Sequence, residues 1–174
     1  MRLEGLILIY TGSGKGKTTA ALGLALRFLG HGFKVCLIQF VKDERIKTGE
    51  RQSLSRFYPQ LEAYCLGKGF IFNKNEPSQL QAARSAWEFA KELILLGHHD
   101  LIILDEIGCL LGLGIISEEE VLEVLEARPR KLNILLTGRD IPATLWAKAD
   151  LVTKMQEVKH PYQCGIKNIK GIDY

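Results

Sequence analysis

Thr11-Gly12-Ser13-Gly14-Lys15-Gly16-Lys17-Thr18 is the densest concentration of chemistry in the chain. Glycines at this spacing let the backbone turn tightly, so that successive N–H groups point into one concave anion site. Such a loop cradles a phosphate chain: Lys17 reaches phosphate oxygens and the Thr18 hydroxyl reaches a Mg²⁺ ion. The run departs from the general G-x-x-x-x-G-K-[ST] pattern at one place, because Thr11 stands where the first glycine belongs. A second group follows later, where the apolar run Leu101-Ile102-Ile103-Leu104 ends in Asp105-Glu106. This is the pattern of a Walker B strand. Mg²⁺ takes oxygen ligands in octahedral geometry and keeps waters while bridging phosphates, so carboxylates here suit it. We expect this strand beside the one that precedes the phosphate loop. Which of Asp105 and Glu106 touches the metal stays open, and Glu106 would also suit positioning a water for hydrolysis.

Strand-length apolar runs alternate with segments of helical period, which supplies the scaffold these residues need. Leu6 to Tyr10 reads as a first strand, and Thr18 to Gly30 as a helix with Leu22, Ala25, Leu26 and Leu29 on one face. Val35 to Phe40 and Leu61 to Cys65 read as strands. A long helix follows Pro77, a good first-turn residue, with Leu80, Ala83, Trp87, Ala90 and Ile94 along one stripe. Ser117 with Glu120 three residues later is a capping box, and opens a further helix. Asn133 to Thr137 and Leu151 to Thr153 complete the strands. Continuous apolar strands separated by helices predict an α/β fold, a single P-loop NTPase (RecA-like) domain over residues 1–174. Its sheet is mostly parallel with helices on both faces.

With 174 residues the chain fits one domain. A net charge of +3 and a pI near 8.6 give little support to a nucleic-acid partner. The apolar stretch before Thr11 is too short to span a bilayer, and a glycine-rich loop stands where a signal peptide would have its cleavage site. Cys36, Cys65, Cys109 and Cys164 lie far apart, which reads as buried or incidental thiols in a reducing cytoplasm. His98 and His99 precede a strand and are expected in a solvated turn.

Beyond these motifs the sequence resembles the P-loop type corrinoid (cob(I)alamin) adenosyltransferases. The likeness begins at Thr11 and runs through Thr19-Ala20-Ala21-Leu22-Gly23, where that family also places Thr before the Gly. It continues through Arg27, Gly30-His31-Gly32, Gln39-Phe40, Lys42, Gly49-Glu50-Arg51, Gly67-Lys68-Gly69-Phe70, Leu104-Asp105-Glu106, Ala127-Arg128-Pro129 and Thr137-Gly138-Arg139. The tail carries it furthest: Val158-Lys159-His160, Gly165-Ile166-Lys167 and Gly171-Ile172-Asp173-Tyr174. Composition alone would make that tail a frayed terminus; the resemblance implies that it is ordered near the nucleotide site. The chain departs from the family at Asp43-Glu44-Arg45-Ile46-Lys47, where a Trp is frequent, and the sequence starts almost at its first strand, where some members carry an N-terminal extension.

The resemblance implies attack by Co(I) of a corrinoid on the ribose 5′ carbon of ATP, with triphosphate as leaving group. ATP would be bound in a reversed sense by Thr11, Gly12, Ser13, Gly14, Lys15, Gly16, Lys17, Thr18 and Thr19. Arg27 and Arg139 are the first further candidates, then Gln39, Arg51, Lys159 and Lys167. Mg²⁺ (or Mn²⁺) would sit on Thr18, Asp105 and Glu106. Lys17 is expected to be catalytic, as are Phe70 and Phe72, which match the aromatics that press on the corrin face and ease reduction of Co(II). By pattern alone those two rings read as core-facing residues of a short strand. The resemblance also implies a homodimer and a reduced flavoprotein as electron donor. The competing readings are a small-molecule kinase, which would release ADP, and a RecA-like ATPase coupled to nucleic acid or protein.

Overall fold

The computed structural model describes residues 4–43, 45, 48–69 and 76–173. Strands β1 (Ile7–Thr11), β2 (Val35–Asp43), β3 (Leu61–Gly67), β4 (Leu101–Asp105), β5 (Asn133–Thr137) and β6 (Leu151–Lys154) form one sheet in the order β3-β2-β4-β5-β1-β6. Every pairing is parallel. The helices are α1 (Lys17–Gly30), α2 (Gly49–Leu54), α3 (Pro77–Leu96), α4 (Ile107–Gly112), α5 (Glu118–Ala127) and α6 (Ala143–Lys148).

Alternation along the strands divides the core into two layers. Ile9, Ile38, Ile102, Leu104, Ile134 and Leu136 pack on the side of α3–α6, against Trp87, Ile94, Val121 and Leu145. Leu8, Leu37, Ile103 and Leu135 face Ala21 and Ala25 of α1 and Leu54 of α2 on the other side. The strands therefore need no polar face, which is why their sequence reads as unbroken apolar runs. Pro77 opens α3, and Ser117 closes its capping box with Glu120, as the sequence predicts.

Three expectations change. Strand β4 is not beside β1: β5 stands between them, pairing with both. The short helices α2, α4 and α6 were not visible, since six residues give less than two turns and no readable period. His99 is not solvated. Its ring is 6% exposed, its Nε2 lies 3.5 Å from a Glu62 carboxylate oxygen, and burial pushes its pKa down.

The end of β5 meets the start of α4 at Gly138 and Gly108, almost backbone on backbone. A Cβ on Gly138 would lie 2.5 Å from the Gly108 Cα. Gly138→Ala should therefore lower stability by about 1–3 kcal/mol, read as a drop in Tm without loss of helix content. An unchanged Tm would mean that α4 yields where it meets the end of β5.

Candidate functional site

The buried polar side chains among the described residues are Thr11, Lys17, Gln39, Thr48, Asp105 and Thr137. Thr11, Asp105 and Thr137 end β1, β4 and β5 at the carboxyl edge of the sheet, Gln39 lies on β2 opposite Asp105, and Lys17 opens α1 after the loop from β1. In an open parallel sheet ligands bind at that edge.

The phosphate loop leaves β1 and is pinned from two sides. Gly12 N–H donates to the Arg139 carbonyl at 3.1 Å, and Gly14 N–H to the Met155 carbonyl at 2.8 Å. A Cβ on Gly12 would stand 2.3 Å from the Met155 oxygen, so the chain after β6 passes against the loop backbone. Thr11 is accommodated because its backbone is ordinary strand, outside the left-handed region, and its hydroxyl donates to the Arg139 carbonyl at 2.9 Å. A glycine is not needed there.

Gly16 caps α1 without a side-chain hydrogen bond, leaving the first-turn N–H groups facing the loop. This is an anion site by construction. Lys17, 6% exposed, donates from Nζ to the Gly12 carbonyl (2.7 Å) and the Gly14 carbonyl (2.9 Å). Burial pushes its pKa below the usual lysine range; Glu106 opposes that shift and Arg139 adds to it.

Asp105 is fully buried and accepts from Thr18 Oγ1 (2.9 Å), Thr137 Oγ1 (2.8 Å) and Gln39 Nε2 (3.0 Å). Glu106 begins α4 in a left-handed conformation, φ 63°, and is the single non-glycine residue with positive φ among those described. Its N–H donates to Thr137 Oγ1 at 2.9 Å. Such backbone costs roughly 1–3 kcal/mol and collects at functional sites. Burial pushes the Glu106 pKa up, the Asp105 charge pushes it further, and Lys17, Arg139 and Lys42 pull it back.

No group of three or more His, Cys, Asp and Glu among the described residues is placed to hold a metal ion. A cation here would therefore take the Thr18 hydroxyl, the two carboxylates and oxygens from water or phosphate. That oxygen-only set fits Mg²⁺ and would relieve the mutual repulsion of Asp105 and Glu106.

Not every expected residue joins this cluster. Ser13 and Thr19 are exposed at the loop and on the first turn of α1. Arg27 lies in a cleft with Tyr10, Ala20, Gly23 and Leu24. It stands ten residues along α1 from Lys17, about 15 Å at the helical rise. Gln39 was expected on ATP, yet it is 1% exposed and gives its amide to Asp105. Lys159 and Lys167 are exposed on the tail, Arg51 is half-buried on α2, and His160 caps a short 3-10 turn through the Tyr162 N–H. Phe70 and Phe72 lie outside the described residues.

Sequence reasoning missed Thr137 as a partner of both carboxylate residues. Its signal was the one that marked Asp105, a polar residue ending an apolar strand. The Asp173 contact was also missed: its carboxylate pairs with Lys15 of the loop and accepts the Ile169 N–H at 2.7 Å. Asp173→Asn should free the tail, so that trypsin cuts after Lys167 and Lys170 several times faster. Unchanged cleavage would show that the tail is held by other contacts.

Residues 3–174 match the family model for ATP:corrinoid adenosyltransferase BtuR/CobO/CobP. The corrinoid adenosyltransferase of Sinorhizobium sp is 37% identical over 98% of this chain and 81% of its own length. That of Escherichia coli K12 is 36% identical over 98% of this chain and 86% of its own. The fold is similar to the flagellar accessory protein FlaH from Methanocaldococcus jannaschii, with a TM-score of 0.60 at 14% identity. This likeness covers 87% of the chain and 71% of FlaH.

Proposed function

The chain belongs to the ATP:corrinoid adenosyltransferase family, and from that premise we propose how its own residues carry the reaction. The enzyme transfers the 5′-deoxyadenosyl group of ATP to Co(I) of a corrinoid. The cobalt gives an electron pair to the ribose 5′ carbon, the C5′–O bond breaks, and triphosphate leaves with the bonding pair. No general base is required, so catalysis reduces to positioning and stabilising the leaving group.

In this reading Lys17, the amides of Ser13 and of Lys15 to Thr19, and the N-terminus of α1 hold the triphosphate, with Arg139 close by, while Thr11, Gly12 and Gly14 shape the loop through their own hydrogen bonds. The observation that carries it is the gathering of Lys17, Thr18, Asp105, Glu106 and Thr137 at one edge of the sheet. Thr18, Asp105 and Glu106 would hold Mg²⁺ (or Mn²⁺), which supplies charge neutralisation of the departing phosphates. Arg27, far along α1, would act on a different part of the substrates. Residues 1–174 then form one domain.

Several finer parts of the reading rest on the family and on surface chemistry. Leu151, Val152, Val158, Tyr162, Ile166 and Ile172 are exposed along β6 and the tail, which suits a homodimer. A reduced flavoprotein would supply electrons for Co(II). Four free thiols suit a reducing cytoplasm, and no helix among the described residues is long and apolar enough to cross a membrane.

Incubating the protein anaerobically with ATP, Mg²⁺ and chemically reduced cobalamin tests the assignment. Adenosylcobalamin with stoichiometric triphosphate is expected; ADP or phosphate without a spectral change would overturn it. Phe70→Ala and Phe72→Ala separate two stages of the chemistry. With preformed Co(I) both variants should stay within about threefold of the unmodified enzyme, and starting from Co(II) both should lose at least about tenfold, by loss of apolar contact. Equal loss in both assays would take the rings out of the reduction step.

A further inference from the structure

We propose that Gln39 is a positioning residue for the metal–nucleotide site, aimed by the Cys65 thiol on the neighbouring strand. The inference deepens the reading above and rests on it.

Asp105 has three donors on two oxygens, and each leads to a different element. Thr18 Oγ1 and Thr137 Oγ1 both reach Oδ1, while among the described residues Gln39 Nε2 alone reaches Oδ2, at 3.0 Å. Thr137 accepts the Glu106 N–H, so its own proton is directed at Asp105. The Gln39 contact therefore decides how the carboxylate is rotated, and so how Oδ1 meets the Thr18 hydroxyl. Thr18 and Asp105 belong to the proposed metal set, and a small rotation there changes how well an octahedral cation can be served.

A carboxamide is nearly symmetric in shape and can present either its NH₂ or its oxygen to a neighbour. Presenting oxygen to a carboxylate would be repulsive. That repulsion favours the NH₂ towards Asp105, and the far side of the amide reinforces it, where Cys65 Sγ lies 3.0 Å from Gln39 Oε1. A thiol there donates to the oxygen and turns the NH₂ towards Asp105. Cys65 sits opposite Gln39 in the β2–β3 register. The chain of contacts thus runs from β3 through β2 to β4 across the carboxyl edge of the sheet. Gln39 is 1% exposed and its bond to Asp105 is buried, so water does not substitute for that bond; the Cys65 contact is part-buried.

The test is ATP affinity by calorimetry, with Mg²⁺ and with excess EDTA, on the unmodified protein and three variants. Gln39→Met keeps the volume and removes both bonds. It should weaken Mg²⁺-ATP about tenfold or more, the usual loss for a hydrogen bond to a charged group, and leave metal-free ATP within about twofold. In steady state the KM for ATP should rise while that for the corrinoid stays fixed. Cys65→Val should show the same pattern more weakly, and Cys65→Ser, which still donates, should restore it. Equal weakening with and without Mg²⁺, or lowered Tm with unchanged metal dependence, would overturn the proposal and leave the site reading standing. Unmodified protein whose ATP affinity ignores Mg²⁺ would overturn both.

Discussion

Lys17→Met should cut kcat/KM for adenosyl transfer about a thousandfold, the scale of removing a charged stabiliser of a leaving group, while the unliganded protein becomes as stable as before or more so. The two halves have one cause. Lys17 is buried against the loop, with two carbonyls as its hydrogen-bond partners. Burial depresses its pKa. A base whose folded pKa lies below its unfolded value, near 10.4, contributes fully to folding above that unfolded value. As pH falls through the folded pKa that contribution is lost. At neutral pH the ammonium is therefore held at a cost, which triphosphate would offset on binding. Methionine keeps most of the stem and drops the charge. Thermal unfolding and the anaerobic assay on the same preparation check both halves. A variant that lost activity through a much lower Tm would show Lys17 to be structural.

The same tension explains what could be read from the sequence. The phosphate loop and the Asp105-Glu106 pair were legible because each breaks an apolar pattern with chemistry that a core would not choose. The strands were legible because both faces of the sheet are covered, so Ile102, Ile103 and Leu104 have no reason to alternate with polar residues. Strand order was not. That β5 stands between β1 and β4 depends on how crossovers pack, and local sequence carries no record of it. For the same reason Thr137 looked like an ordinary strand end, although the intervening position of β5 is what brings its hydroxyl to Asp105. Gln39 stands out by its polarity, but its bond to Asp105 does not, because a single sequence does not reveal that β2 and β4 are neighbours with Gln39 opposite Asp105. The tail was legible only through its resemblance. Composition pointed to a loose end, and the Lys15–Asp173 pair joins residues at opposite ends of the chain.

Glu106→Gln is the sharper experiment, because transfer and hydrolysis respond to it differently. Burial and the Asp105 charge raise the Glu106 pKa. An acid whose folded pKa is raised contributes fully to folding below its unfolded value, near 4.3, and that contribution disappears as pH rises through the folded value. The substituted amide would carry no charge to desolvate, so the variant should match the unmodified protein at acidic pH. Above the folded pKa it should unfold about 2–4 °C higher. A bound cation reverses the balance by preferring the carboxylate. Mg²⁺-dependent stabilisation by ATP should therefore shrink in the variant, and adenosyl transfer should fall about a hundredfold or more, as for other groups that stabilise developing charge. The products then decide the role. If Glu106 serves the metal, the unmodified enzyme releases triphosphate and the variant simply releases less of it. If Glu106 aligns a water, the unmodified enzyme makes ADP and phosphate in the absence of corrinoid, and the variant binds ATP with Mg²⁺ undiminished while hydrolysis stops. Intact Mg²⁺-ATP binding in the variant would thus remove Glu106 from the metal set, leaving Asp105 and Thr18 to hold the ion.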